Sequence, residues 1–309
     1  MHLNFTDEPL EEIVATLEGA LGMLESGGRL EVSALDPDLS LGHYAGERLK
    51  VGGILYRHRP LRAWLDLAER FGCRLHTPSR EGQHILLTFS RLEDTSWHEN
   101  KGAGSESYGP TSDFSRVEKL EEPTFSLDYA EALRRVGLQC GQCVLSLGVG
   151  RGDELLPFIH LYPDTDLTFT GVDHSAGALR EARTRFPTGR YTFLEGDLNA
   201  LGTLELGRFD LVLSIATFQS PGVQGHTLIR EVVQQHLTTH GNLILALPNC
   251  RYRDGEVLFG AKMKNFARPD LSLVVKDLAF YRKYLQQHGF QVSITGKYYL
   301  FLTAIRTQP

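Results

Sequence analysis

The chain has 309 residues, enough for two domains and for at least one full hydrophobic core. Its 41% apolar and 23% charged residues describe an ordinary globular protein, and no apolar run approaches the roughly 20 residues that span a membrane. A net charge of −6 argues against a generally basic nucleic-acid-binding surface, though not against a local basic patch. The start, Met1-His-Leu-Asn-Phe-Thr, lacks the basic-then-apolar pattern of a signal peptide, so a cytoplasmic location is the default expectation.

In chain order, residues 10 to 25 carry Leu10, Ile13, Leu17, Leu21 and Leu24 on one side of a helix. Gly27-Gly-Arg-Leu-Glu-Val32 then reads as a turn and a strand. A second helix, Pro60 to Gly72, precedes strands at Arg74 to Thr77 and His84 to Phe89. The C-terminal region repeats this order. A helix through Leu237 leads into the strand His240 to Ala246, a Gly-Glu-x-Leu loop (Gly255 to Leu258, matching Gly46 to Leu49) and a helix from Asp277 to Gly289. Pro60 to Gly72 and Asp277 to Gly289 align without gaps, Leu61 with Leu278, Trp64 with Tyr281 and Gly72 with Gly289. The strands Gln291 to Thr295 and Tyr298 to Ala304 close the second copy.

Glu93 to Glu122 separates the copies. Asn100 to Pro110 has no periodicity and reads as a connector or as a lid over a site, in which case Tyr108 and Phe114 touch substrate. Four cysteines, Cys73, Cys140, Cys143 and Cys250, are too few for a disulfide framework. Cys140-Gly-Gln-Cys143 has no second pair to complete a zinc site, so no metal is expected and Cys143 is expected in the core.

Val144-Leu-Ser-Leu-Gly-Val-Gly-Arg-Gly-Asp153 reads as a buried strand breaking into a glycine turn and opening a helix from about Glu154. Backbone without β-carbons suits a turn that passes against a ligand. The strand Asp166 to Asp173 ends in an acid 21 residues after Gly152, the spacing at which a carboxylate meets ribose hydroxyls. Tyr191 to Asp197 is a further strand ending in an acid, and Phe209 to Ala216 is a fourth. Strands alternating with helical segments predict a doubly wound parallel sheet. A dinucleotide-binding domain shares the glycine turn and the first acid. Its G-x-G-x-x-G fingerprint differs from Gly148-Val-Gly-Arg-Gly, however, and it does not account for the acid at Asp197.

Taken together, these motifs resemble the class I S-adenosylmethionine-dependent methyltransferases over residues 115 to 307. The resemblance implies a Rossmann-like α/β fold with a C-terminal antiparallel hairpin, an S-adenosyl-L-methionine cofactor and three segments: a half-domain at 1–92, a linker or lid at 93–122 and the methyltransferase domain at 123–309. It places Gly148, Val149, Gly150 and Gly152 beneath the methionine part, Asp173 and His174 at the ribose, Asp197 and Leu198 at the adenine, and Ser214 and Ile215 beside the methyl group. The family often carries an acid two residues before the first glycine, where this chain has Ser146. Ser214-Ile-Ala-Thr-Phe-Gln219 is not the Asn/Asp-Pro-Pro-aromatic motif of amino-group methylation on adenine or glutamine.

The half-domain resembles the second half of this fold, starting just after strand four. Its uncovered edge predicts packing against the C-terminal domain or against another copy as a homodimer, and poor folding of residues 1–92 alone. The stretch Pro248 to Pro269 carries five basic residues and two acids and reads as a cap over an anionic acceptor or as a solvated loop. Position alone nominates Gln219, Asn249, Tyr252 and Asp254 as catalytic, with His226 the best-placed histidine. The acceptor expected is a small molecule or RNA. Two alternatives stay open: a cofactor-binding scaffold without transferase activity, and transfer of another group from the same cofactor.

Overall fold

The computed structural model describes residues 1–25, 27–39, 41–93, 116–260 and 271–307. The chain forms two compact units, Met1–Trp97 with Tyr252–Leu258, and His98–Arg251 with Phe259–Pro309. Most of the expected connector (94–115) and the end of the expected cap (261–270), with Tyr108, Phe114 and Phe266, lie outside the described residues.

The first unit contains β1 (His2–Asn4), α1 (Leu10–Gly22), β2 (Arg29–Leu35), the hairpin β3 (Arg48–Val51) and β4 (Ile54–Arg57), α2 (Leu61–Arg70), β5 (Cys73–Leu75), β6 (Ser79–Glu81) and β7 (His84–Arg91). Its main sheet runs β1-β2-β7-β5. β1 lies parallel to β2, and β7 is antiparallel to both β2 and β5. Inward residues of β2 and β7 (Leu30, Val32, Leu87, Phe89) pack against Ile13 and Leu17 of α1 and Trp64 of α2. The edge of β2 that the sequence leaves open is paired by the three residues of β1, in register Leu3 to Val32. The open-edge reason for a homodimer therefore does not hold at this strand.

The second unit contains α3 (Pro123–Val136), β8 (Cys143–Leu147), α4 (Leu156–Leu161), β9 (Thr168–Asp173), α5 (Ala176–Arg185), β10 (Tyr191–Glu195), β11 (Phe209–Ile215), α6 (Gly225–Glu231) and β12 (Leu237–Pro248). The chain then forms β13 (Cys250–Arg253) and β14 (Glu256–Phe259), whose residues 252–258 belong to the first unit, and returns through α7 (Ser272–Gln287), β15 (Phe290–Gly296) and β16 (Tyr299–Arg306). Local chemistry sets α3. Glu122 accepts a hydrogen bond from the Phe125 N–H at 2.8 Å, Pro123 opens the helix, and Gly137 ends it with φ +64°.

The seven-stranded sheet runs β10-β9-β8-β11-β12-β16-β15, parallel except for β16, which is antiparallel to β12 and to β15. β11, at its centre, buries nearly every side chain, as a parallel strand covered on both faces must. The stretch after β12 forms a hairpin, not the loop expected. Asp254 and Gly255, both with positive φ, make the two-residue turn that such a ribbon favours.

Candidate active site

All the glycine-turn and acid positions of the sequence argument fall in the second unit, at the carboxyl ends of its parallel strands. Gly148 follows β8 with φ +77°, and a β-carbon there would lie 2.1 Å from Thr217 Oγ1. Only glycine lets the turn pass beneath the residue that follows β11 so closely. Gly150, with φ +52°, has no atom of the described residues within 4 Å of where a side chain would begin. The turn thus offers bare backbone to open space. The Phe186 ring stands where a side chain at Gly152 would go.

Asp173 ends β9 and is 8% exposed. Its Oδ2 accepts the Gly150 N–H and its Oδ1 the Ser175 N–H, both at 2.8 Å. A carboxylate oxygen has two lone pairs, so each keeps one for a further donor. This fixes the carboxylate beside the bare turn while leaving it able to accept ribose hydroxyls. His174, exposed, lies with Nδ1 3.5 Å from Asp173 Oδ1. Asp197 is exposed, with Oδ1 accepting the Asn199 N–H at 2.9 Å, and Leu198 is buried beside it.

Asn199 was not singled out by sequence. Its Nδ2 donates to the Gly222 carbonyl at 3.0 Å and its Oδ1 accepts the Gln224 N–H at 2.8 Å, tying the turn after β10 to the loop after β11. No spacing rule points to such a bridge, which exists only through tertiary pairing.

Ser214 is buried, and its hydroxyl donates to the Leu147 carbonyl at 2.9 Å, bonding β11 to the last residue of β8. Ile215 is likewise buried. Ala216 follows with φ +61° and donates its N–H to the Ala246 carbonyl at 2.7 Å. A left-handed conformation costs a non-glycine residue about 1–2 kcal/mol. Here it turns the chain out of the sheet and sets Thr217 over Gly148.

Ser146, the irregular position, donates its hydroxyl to Glu154 Oε1 at 2.8 Å, both residues buried. Glu154 comes from the single turn of 3-10 helix at Asp153–Leu155 that precedes α4. Burial pushes its carboxyl up to about 7, against the Ser146 hydroxyl and the positive charge of Lys119. Burial likewise lowers the Lys119 ammonium, against the charge of Glu154. A carboxyl group thus stands against the position where the family carries its acid, supplied eight residues further along the chain.

Of the four catalytic candidates, Gln219 lines a cavity beside α6. Asn249 is 5% exposed and held to the turn between β15 and β16, its N–H donating to the Tyr298 carbonyl at 2.8 Å and its Nδ2 to the Lys297 carbonyl at 2.9 Å. Tyr252 and Asp254 lie in the hairpin segment of the first unit, so the structure does not gather them with the glycine turn in one unit. The Asp254 carbonyl accepts from Arg74 Nη2 at 2.7 Å, and Arg74 Nε meets Glu256 Oε1 at 2.6 Å. Cys143 is half-buried, not fully in the core, and Cys250 is buried, with burial holding its thiol at about 12 and so protonated. All four cysteines are free.

A parallel sheet in this order, with an antiparallel strand next to its edge, a glycine turn after one central strand and acids after the next two, defines a methyltransferase domain. Residues 144–241 match the family model of the methyltransferase domain, and the second unit that holds them has the Rossmann-like sheet of a methyltransferase fold. No curated protein matches the chain by sequence. Similar solved structures include a S-adenosylmethionine-dependent methyltransferase from Aquifex aeolicus (16% identity, TM-score 0.46, covering 66% of this chain and 99% of that one). Magnesium protoporphyrin IX methyltransferase from Synechocystis is 19% identical, with TM-score 0.42 over 67% of this chain and all of that one. Phosphoethanolamine N-methyltransferase 2 from Haemonchus contortus is 13% identical, with TM-score 0.43, and covers 99% of this chain and 84% of that one. No helix among the described residues is long and apolar enough to cross a membrane.

Proposed function

We propose that the protein transfers a methyl group from S-adenosyl-L-methionine, with one cofactor site, in the second unit. The observation that carries this reading is the bond from the Gly150 N–H to Asp173 Oδ2, which joins the bare turn and a carboxylate with free lone pairs into one cradle. In this reading Gly148 to Gly152 support the methionine part, Asp173 holds the ribose, and Asp197 with Leu198 borders the adenine. Glu154, braced by Ser146, takes the methionine ammonium that the family's usual acid would take. The cofactor supplies an already activated methyl group, so the protein's work is to align the acceptor and exclude water.

The test is calorimetry with S-adenosylhomocysteine. A hydrogen bond to a charged group is worth about 1.5–3 kcal/mol, so losing both ribose contacts in Asp173→Ala weakens binding by about 100-fold or more. Affinity unchanged in that variant sinks the reading.

The first unit fits the second half of the same fold, repeated. Its order β1-β2-β7-β5 has the same parallel and antiparallel senses as β11-β12-β16-β15, and in both a two-stranded hairpin and a helix separate the second strand from the last pair. Among its described residues it has no counterpart of β8 to β10 and no glycine turn between such strands, which favours a structural role for it over a second cofactor site.

A further inference from the structure

In the second unit, a cavity of 290 Å³ opens between the loop after β11, the first turn of α6 and the first half of α7. Phe218 and Gln219 line it from the loop, His226 and Thr227 from α6, and Asp277 and Tyr281 from α7. Its volume falls just below that of small-molecule sites, which run from about 300 to 1,000 Å³, and so suits a small ligand. Thr217, against the glycine turn at Gly148, immediately precedes Phe218 at its wall.

The walls are closely built. A β-carbon at Gly225 would lie 2.4 Å from the Tyr281 hydroxyl and 2.9 Å from the Phe218 carbonyl, so a bare backbone there lets the tyrosine reach the cavity. Phe218 and Tyr281 meet edge to face, ring centres 5.7 Å apart. Within this frame His226 Nε2 lies 3.0 Å from Asp277 Oδ1, and the imidazole stacks on Phe280 at 3.9 Å. A carboxylate on Nε2 fixes the neutral ring as the Nε2–H tautomer, which leaves Nδ1 as a proton acceptor. Among the described lining residues Asp277 is the one carboxylate, and none is Lys or Arg.

We propose that this cavity receives the methyl acceptor, a small neutral or cationic molecule bearing an N–H or O–H nucleophile, and that His226 takes its proton with Asp277 as the positioning residue. The acceptor's nitrogen or oxygen forms the bond to the methyl carbon as the carbon–sulfur bond breaks and its electron pair goes to sulfur. The acceptor's proton goes to His226 Nδ1, so the charge lost from the sulfonium reappears on an imidazolium facing Asp277. A single carboxylate and aromatic walls suit a phenol or an amine and disfavour a phosphate-bearing chain, so this inference, which rests on the methyltransferase reading, selects the small-molecule acceptor over RNA.

The experiment uses the full chain loaded with S-adenosylhomocysteine. Calorimetry first establishes that loading; failure there defeats the methyltransferase reading itself. Ligand-observed NMR then tests phenol, benzylamine, inorganic phosphate and a six-nucleotide RNA. Phenol or benzylamine is expected to bind and to move the His226 side-chain ¹⁵N resonances. Thr227→Trp, at an exposed position on the cavity mouth, is expected to weaken that binding at least tenfold while leaving S-adenosylhomocysteine affinity within twofold. Asp277→Asn is expected to change the tautomer reported by the His226 ¹⁵N shifts. Absence of binding by both organic probes, displacement of them by phosphate or RNA, indifference to Thr227→Trp, or unmoved His226 resonances would each overturn the inference.

Discussion

Helix α2 of the first unit and helix α7 of the second hold the same place relative to their sheets, and Trp64 aligns with Tyr281. Both rings are buried, at 0% and 1% exposure. Trp64 stacks on Phe5, which directly follows β1, with centres 6.2 Å apart; Tyr281 meets Phe218, which follows β11. In the first unit the indole is part of the hydrophobic core, whereas in the second a smaller ring with a hydroxyl borders a cavity. The position of Asp277 is Pro60 in the gapless alignment, so the first unit has no partner for a histidine there. On the proposed repeat, one framework serves two ends: filled with carbon it is a core, and left short of carbon with a few polar groups it is the proposed acceptor site.

The largest expected effect on this contrast comes from Trp64. Removing a fully buried aromatic ring costs about 3–5 kcal/mol, so Trp64→Ala should unfold the first unit well before the second in a thermal melt. Tyr281→Phe should change stability by about 1 kcal/mol or less, because its hydroxyl borders a cavity. Comparable losses in both would erase the distinction between core and site.

Next is the buried carboxyl of Glu154. Folding raises it from its ordinary value to about 7, so between those values the folded state holds the proton that the unfolded state has released. Its stabilising contribution is full below the ordinary value and is lost as pH rises to about 7, by on the order of 3 kcal/mol. Denaturant melts from pH 4.5 to 7.5 should show this slope, and Glu154→Gln should flatten it. If Glu154 also receives the methionine ammonium, wild type releases protons on binding S-adenosylhomocysteine at pH 6 and the variant does not, a difference visible in calorimetry in two buffers of unlike ionisation enthalpy.

A smaller effect concerns the edge. Deleting residues 1–4 uncovers β2, and concentration-dependent association by light scattering is the expected outcome. The smallest is the half-exposed pair Arg74–Glu256, where a double-mutant cycle should return about 0.2–1 kcal/mol, weakening in salt.

The sheet was legible in the sequence because buried parallel strands read as apolar runs, as in Phe209 to Ile215, and because acids stand at their ends. The glycine turn was legible because Gly148 and Gly150 both need positive φ. What escaped was long-range: β1 is too short to carry a pattern, and Asn199, Glu154 and the His226–Asp277 pair acquire meaning only through residues 8 to 51 positions away. The hairpin after β12 escaped for another reason. Charges dominated its reading, while the Asp254-Gly255 turn signal sat among them.

That hairpin bears on the order in which the protein can be made. Residues 252–258 complete the first unit, yet they leave the ribosome roughly 150 residues after its other strands, about 8–30 s later at about 5–20 residues per second. Until then Arg74 lacks Glu256 and the Arg253 side chain is missing from Gly72. The amino-terminal part of this protein therefore starts first yet is completed only after most of the second unit has been made, shortly before that unit's own last helix and strands.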